Sequence, residues 1–441
     1  MQVMRPLPAW FDDAKFGIFV HWTPATIPAF APTESSATWF SSMGDSPYCE
    51  WYQNSLAIAG SPVHKHHREH YGDLPYDAFV EQFLAGLRGW DAEPWADLFA
   101  SAGARYVVLV TKHHDGVALW PTAHRNPFKA DWQAERDIVG ELAAAVRRRG
   151  MRFGTYYSGG LDWTFGGLGI TDLRTLTAAI PQTPEYLAYA DAHWRELIDR
   201  YEPCVLWNDI GYPAAADLDA LFEHYYARVP DGVVNNRFDF FGQTRGAAHT
   251  DFVTPEYSTD ADPSGRKWES TRGIGTSYGY NRAEPDESYL SVEGLVAMLV
   301  DVVARGGNLL LNVGPAADGS IPLVQAERVL GLGWWLRTNG AALYDTRPWT
   351  PNEGATAEAL PVRYTAKDGD VYAVVLGTPS SRIVTIADVE PADACLVHLL
   401  GHGASLPWRR TESGTEVELP SRPPTGPAIA LRFAGCAPIP G

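Results

Sequence analysis

Short apolar runs recur along the chain, and each one ends in polar groups. Phe16-Gly17-Ile18-Phe19-Val20 runs into His21-Trp22, and Tyr106-Val107-Val108-Leu109-Val110 into Thr111-Lys112-His113-His114. Arg152–Tyr157 ends in Ser158-Gly159-Gly160, and Cys204-Val205-Leu206-Trp207 in Asn208-Asp209. Val233-Val234 meets Asn235-Asn236-Arg237, Phe252-Val253 meets Thr254-Pro255-Glu256-Tyr257, and Asn308–Val313 closes on Gly314-Pro315. Continuous apolar runs of this length predict strands buried on both faces, as in a parallel sheet. Between them, residues 92–102, 137–149, 184–201, 218–229 and 291–305 carry apolar side chains at helical spacing. Arg147-Arg148-Arg149-Gly150 and Arg305-Gly306 read as helix stops. Strand, loop and helix in alternation is βαβ grammar.

Two architectures satisfy that grammar, a doubly wound sheet and a barrel. No G-x-G-x-x-G follows the first run, as a dinucleotide sheet would require. In a barrel, chemistry gathers at the C-terminal ends of many strands, and here those ends carry His, Asp, Glu, Arg or Asn. The expected fold is therefore an α/β, TIM-like (β/α)8 catalytic barrel over residues 1–348. Beyond Trp349-Thr350-Pro351-Asn352 the pattern shifts to short strands with Gly, Pro, Ser and Asp turns, which predicts a small all-β sandwich over 349–441. Support of the barrel is the expected role of that second unit. The stretch 25–89, rich in Pro, Ser and His, reads as a long irregular loop or lid.

Charge narrows the function. The 441 residues carry a net charge of −18, and an acidic surface repels phosphate backbones and anionic lipid. Nucleic-acid and membrane partners are not expected, and no stretch has the length of a membrane helix. The first residues show no basic start followed by an apolar run, so a cytoplasmic protein is expected. Cys49, Cys204, Cys395 and Cys436 form no C-x-x-C pair and no disulfide framework. The sequence leaves the oligomeric state open, a homo-oligomer included.

Several groups could carry chemistry. Asp209 and Glu256 end predicted strands, with Arg237 between them in sequence. Two carboxyl groups across a barrel mouth suit glycoside hydrolysis, one attacking or activating water and the other protonating the leaving oxygen. Trp207 and Asn208 are expected to hold Asp209 in place, and Glu269 in Lys267-Trp268-Glu269-Ser270 competes for the acid role. His21, His113 and His114 could be metal ligands, bases, hydroxyl partners or plain structural histidines. Adjacent residues of a strand point to opposite faces, so His113 and His114 share a site only if the strand has ended before them. His66-His67-Arg68-Glu69-His70 contains the inverted zinc-peptidase spacing, with His66 and His70 as ligands. Tyr71-Gly72-Asp73 follows at once, and a solvated histidine-rich loop is the expected reading. Glu50-Trp51-Tyr52 and Trp163 place aromatic rings in loops, and Tyr278-Gly279-Tyr280-Asn281 lies near a predicted strand end; rings so placed can cover pyranose faces.

Taken together, these stretches resemble the α-L-fucosidases, glycoside hydrolase family 29. The resemblance rests on residues 10–22, on Thr111–Gly116, on Leu206-Trp207-Asn208-Asp209, on Trp268-Glu269 with Ser277–Asn281, and on Gly306–Pro315, in that order. It implies an eight-stranded barrel-like domain with a C-terminal sandwich, and a retaining mechanism without metal or cofactor. It implies Asp209 as the nucleophile that forms a covalent fucosyl intermediate and Glu256 as the acid/base, with Glu269 second. By the same resemblance His21, Glu50, Trp51, His113, His114, Tyr156 and Arg237 hold the fucose hydroxyls or wall the pocket. Tyr278 stands where relatives carry Phe beside the sugar's methyl group.

The expectation is an exo-acting, retaining α-L-fucosidase acting on a fucosylated oligosaccharide or glycoconjugate. The rivals are the same fold acting on an α-L-galactoside or as a transfucosylase, a fucose-binding protein without catalysis, and the zinc peptidase built on His66 and His70.

Overall fold

The computed structural model describes residues 5–33, 43–239, 241–242, 249–260, 265–422 and 425–435. Seven strands, β1 (Phe16–Val20), β2 (Tyr106–Lys112), β3 (Arg152–Tyr157), β4 (Val205–Asn208), β5 (Val233–Val234), β6 (Glu269–Gly273) and β7 (Asn308–Val313), form one curled sheet. Its order is β5-β4-β3-β2-β1-β7-β6, and every pairing is parallel. The run Phe252-Val253 does not become a strand. It is held by isolated parallel bridges, Asn235 to Phe252 and Val253 to Trp268, which close the gap between β5 and β6. Pro255 has no N–H with which to continue a ladder there. The result is a barrel-like fold with seven strands and one bridged segment.

Helices Ala92–Ser101, Ile138–Arg148, Pro184–Tyr201, Leu218–Arg228 and Val292–Ala304 lie within two residues of the expected ranges. Asp91, Asp137, Thr183, Asp217 and Ser291 cap them by accepting a backbone N–H of the first turn. The helices pack outside the barrel through residues such as Phe99, Leu142, Trp194 and Val300, whereas Phe19, Val108, Tyr156, Trp207 and Leu310 fill its interior. None of the described helices is long and apolar enough to cross a membrane.

The stretch 25–89 departs from expectation. Its described part carries three helices, Tyr52–Ala57, Pro62–Tyr71 and Tyr76–Gly86, which bury Tyr52, Val63, Phe79 and Val80 with Trp132. The histidine-rich segment is thus helical, started by Ser61, whose side chain accepts the His64 N–H. Residues 34–42 lie outside the described residues.

The C-terminal part is all-β. Strands β8 (Arg347–Ala355), β9 (Pro361–Lys367), β10 (Asp370–Leu376), β11 (Ile383–Ile386), β12 (Leu396–Leu399), β13 (Ser405–Leu406), β14 (Trp408–Thr411), β15 (Gly414–Glu418) and β16 (Ala428–Ala434) form two antiparallel sheets. Their orders are β13-β12-β16-β10-β9-β8 and β11-β15-β14, with Val371, Ile386, Val397, Val417 and Phe433 in the core between them. The outer face of the larger sheet joins the barrel's core through Tyr372, Val374, Ala428 and Ala430. The Trp335 indole donates to the Ala428 carbonyl (2.8 Å) across that seam. Cys49 and Cys204 are buried free thiols, and Cys395 is disulfide-bonded.

Candidate active site

The C-terminal ends of the strands surround a partly open pocket. Its walls are Phe19, His21, Tyr48, Glu50, Trp51, His113, His114, Tyr156, Trp207, Asp209, Ile210, Arg237, Glu256, Thr271 and Tyr278. Every catalytic and sugar-binding residue named from the sequence lines it except the second-choice acid Glu269, and the candidate zinc ligands His66 and His70 do not.

At its centre, one guanidinium joins two carboxylates. Arg237 follows β5 in a short 3-10 turn and donates from Nη1 to Asp209 Oδ1 (2.9 Å). Its Nη2 lies 2.6 Å from Glu256 Oε1, and its Nε and Nη2 also hold the Thr254 hydroxyl and carbonyl. Burial works against its charge, but Glu256 and Asp209 outweigh burial and raise the Arg237 pKa. The guanidinium carbon stands over the Trp207 ring, 4.7 Å from its centre.

Asp209 follows β4 directly. Tyr156 donates to its Oδ2 (2.9 Å), and the Ile210 N–H donates to its Oδ1 (2.9 Å). Ile210 adopts φ 59°, an unusual conformation for a β-branched residue, and this turn aims its N–H at the carboxylate. Gly160 makes the turn fit, because a Cβ there would lie 2.2 Å from the Ile210 carbonyl oxygen. The expected holders of Asp209 play other parts. The Asn208 amide donates to the carbonyls of Gly211 and Arg237, tying the loop, and the Trp207 indole donates to Glu269.

β2 ends at Lys112, so His113 and His114 both reach the cavity, with ring centroids 3.9 Å apart. The His tautomers follow from their partners. The Asn312 amide nitrogen donates to the Tyr278 carbonyl (2.6 Å), so its oxygen accepts from His21 Nδ1 (2.6 Å). The Ser158 hydroxyl donates to the Leu161 carbonyl (2.7 Å), so it accepts from His114 Nδ1 (2.6 Å). Each ring thereby keeps a bare lone pair on Nε2. Burial lowers the His21 pKa to about 3 and depresses His113 and His114 well below the usual range, so all three stay neutral.

Glu50 and Trp51 enter from a 3-10 turn in the helical insertion after β1. Glu50 Oε2 accepts the Gly279 N–H (2.7 Å), and burial raises its pKa to about 7. The Trp51 ring packs edge-on against His114 and Trp163. The Tyr278 hydroxyl donates to the Thr271 carbonyl (3.1 Å), so that oxygen is already engaged within the protein.

Glu269 is elsewhere. It is the first residue of β6, at the strand end remote from the cavity, fully buried and held by the Tyr106 hydroxyl and the Trp207 indole (3.3 Å). Burial raises its pKa to about 7. Its two donors occupy both carboxyl oxygens, which suits an internal tether between strands. Glu269→Gln should therefore lower the melting temperature, because an amide N–H must then face a donor. The same variant should leave unchanged the ratio of rates on poor and good leaving groups; a change in that ratio would restore Glu269 as the acid.

His66 and His70 also lie away from the cavity. The His66 ring stacks on Phe30 (centroids 3.7 Å), and His70 Nδ1 bonds the His66 carbonyl (2.9 Å). Among the described residues, no group of three or more His, Cys, Asp or Glu stands together to hold a metal ion.

Sequence reasoning missed Phe19, Tyr48, Ile210 and Thr271 as wall residues. Thr271 sits in the polar strand β6, and Ile210 follows a candidate acid, a position that carried no signal in hydrophobic spacing.

Comparison with known proteins gives one answer. A family model described as α-L-fucosidase matches residues 1–341, and a model of the α-L-fucosidase C-terminal domain matches residues 356–433. The chain is 36% identical over 440 residues to the plasma α-L-fucosidase of Rattus norvegicus, covering 94% of this chain and 88% of that one. It is 33% identical over 449 residues to the tissue α-L-fucosidase of Bos taurus, covering 98% and 88%. The solved structure of Thermotoga maritima α-fucosidase in complex with fucose is similar at a TM-score of 0.86 and 42% identity, over 97% of both chains.

Proposed function

This chain belongs to the α-L-fucosidase family of glycoside hydrolases, and from that premise we propose that it removes terminal α-L-fucose with retention of configuration. Asp209 is the nucleophile, and Glu256 is the acid/base. The observation that carries the reading is the pair of carboxylates on one guanidinium, set in a pocket whose other walls are mostly neutral histidines and aromatic rings, with Glu50 among them.

A pocket closed below by the filled barrel interior admits a chain end and no through-running chain, which suits exo action. Fucose offers three hydroxyls. The bare Nε2 atoms of His21 and His114 accept hydroxyl protons, while Glu50 and the Trp51 indole supply further polar contacts. Asp209 attacks the anomeric carbon as Glu256 gives its proton to the departing oxygen. The fucosyl–Asp209 ester then yields to a water that Glu256 deprotonates. Tyr156, Arg237 and the Ile210 N–H aim the Asp209 carboxylate, and positive charge developing on the sugar lies beside it. Arg237 Nη2 holds Glu256 Oε1 at 2.6 Å and so fixes where that carboxyl stands for both proton transfers.

The test is release of aryl leaving groups from α-L-fucoside, β-D-galactoside and α-L-galactoside, followed by NMR of the first product. Selective fucoside cleavage giving the α-anomer first supports the reading. First appearance of the β-anomer removes Asp209 as nucleophile, and equal cleavage of the α-L-galactoside makes the enzyme indifferent to the methyl group.

Glu50 gives a pH prediction. Its carboxyl is protonated below about 7 and ionised above. Only the protonated form can donate to a sugar oxygen, and ionisation adds a negative charge to a cavity that already holds two. The KM for an aryl fucoside should therefore rise as pH increases through about 7, and Glu50→Gln, a permanent donor, should flatten that rise. A wild-type KM independent of pH between about 6 and 8 would exclude a hydroxyl-binding role for the protonated carboxyl.

A further inference from the structure

One charged pair near the cavity is not used by the chemistry above. Lys112, the last residue of β2, and Asp162 have side chains with no exposure at all, and Lys112 Nζ lies 2.9 Å from Asp162 Oδ2. Nζ also donates to the Ser158 carbonyl (3.1 Å) and sits over the Tyr157 ring, 4.5 Å from its centre. Asp162 uses its other oxygen for the Thr164 N–H and hydroxyl. Gly116 leaves room for it, since a Cβ there would come within 2.6 Å of Asp162 Oδ1. A buried ion pair is on average no more stabilising than apolar groups of the same shape, so stability alone is a weak account of it.

What the pair does fix is a turn. Lys112 holds the Ser158 carbonyl at the start of that turn and Asp162 near its end. Between them the Ser158 hydroxyl, donating to Leu161, is left with only its lone pairs for His114 Nδ1. The Trp163 N–H then closes on the His114 carbonyl (2.7 Å), and its ring meets both His114 and Trp51. We propose that the Lys112–Asp162 pair is a positioning device for His114. It clamps the 158–162 turn so that Nδ1 carries the proton and the Nε2 lone pair faces the sugar. The proposal rests on His114 accepting a fucose hydroxyl.

The test uses the neutral double variant Lys112→Met/Asp162→Asn, which leaves no buried charge unpaired. Either single variant strands one charge and should lower the melting temperature more than the double does. The folded double variant should show a KM for aryl fucosides raised about five- to tenfold, with kcat within about threefold, because a hydroxyl contact made equally in ground and transition states acts on KM. Ser158→Ala, which spares the ion pair, should reproduce that rise. In a His114→Ala background, neither change should raise KM further, an outcome that a general loosening of the fold would not give. Wild-type KM in the folded double variant overturns the proposal, as does wild-type KM in Ser158→Ala or full additivity with His114→Ala. If the double variant does not fold, Asp162→Asn takes its place, and a wild-type KM in that variant overturns the proposal. An inactive wild type would instead sink the fucosidase reading, so the two failures are distinct.

Discussion

Asp209→Gly is expected to cut turnover of aryl α-L-fucosides by a factor of about 10⁴ or more, since it removes the group that forms the intermediate. Azide is expected to restore part of that activity. The reason lies in what remains around the missing carboxylate. Arg237 Nη1, the Ile210 N–H and the Tyr156 hydroxyl all donate to Asp209 in the intact protein. Without it they form an anion site of the right shape, open on the side of the anomeric carbon. The fold should survive, because Arg237 keeps Glu256 and Thr254 as partners. One displacement by azide inverts the centre, so the product should be the β-fucosyl azide. Near-normal hydrolysis by this variant, or rescue that yields the α-azide, would remove Asp209 from the role of nucleophile.

Glu256→Ala should produce a different signature, a loss that depends on the leaving group. A poor leaving group needs its oxygen protonated as the bond breaks, and there the loss should reach about 10³-fold. A dinitrophenyl group needs little protonation, so formation of the intermediate from such a substrate should hardly slow. Glu256 suits this task by position. Its side chain is 29% exposed against 13% for Asp209, which places it nearer the mouth, where the aglycone leaves and water enters. Rates measured over a series of aryl fucosides give the check. Equal losses along the whole series would mean that proton transfer is done by another group.

The buried polar network behind the cavity explains why these residues had to be found by different routes. His21, Asp209, Arg237 and Glu256 were visible because each follows an apolar run, and in a parallel barrel the end of a run is the place for chemistry. Glu269 was equally visible as a charged residue, yet it competes for the acid role only while strand direction is ignored. It begins β6, pairs with Asn308 at the start of β7, and therefore lies at the other end of the barrel. β6 itself, Glu269-Ser270-Thr271-Arg272-Gly273, contains no apolar residue and gave no strand signal. It is a strand because β7 pairs with it along its whole length and because the Glu269 carboxyl and the Ser270 hydroxyl have partners. Two helices of the 25–89 region were hidden in another way. In Tyr52–Ala57 and Pro62–Tyr71 apolar residues are sparse and mixed with polar ones, and packing around Trp132 and Ala25 stabilises them; Tyr76–Gly86 does carry Phe79, Val80 and Phe83 at helical spacing.

By itself the sequence determined the class of fold, the order of the elements, the acidic surface and the residue types available for chemistry. Hydrophobic period and strand-end polarity are local properties, readable without knowing what packs on what. Only the tertiary structure decided how those groups meet. It joined Asp209 and Glu256 through a single guanidinium, ended β2 at Lys112 so that His113 and His114 share a wall, and gave the Asp209 carboxylate to Ile210 and Tyr156 instead of Asn208 and Trp207. Proton positions on His21 and His114 were decided there too, because a tautomer is fixed by the partner across the chain, and Asn312 and Ser158 are brought to those rings only when the strands close into a barrel.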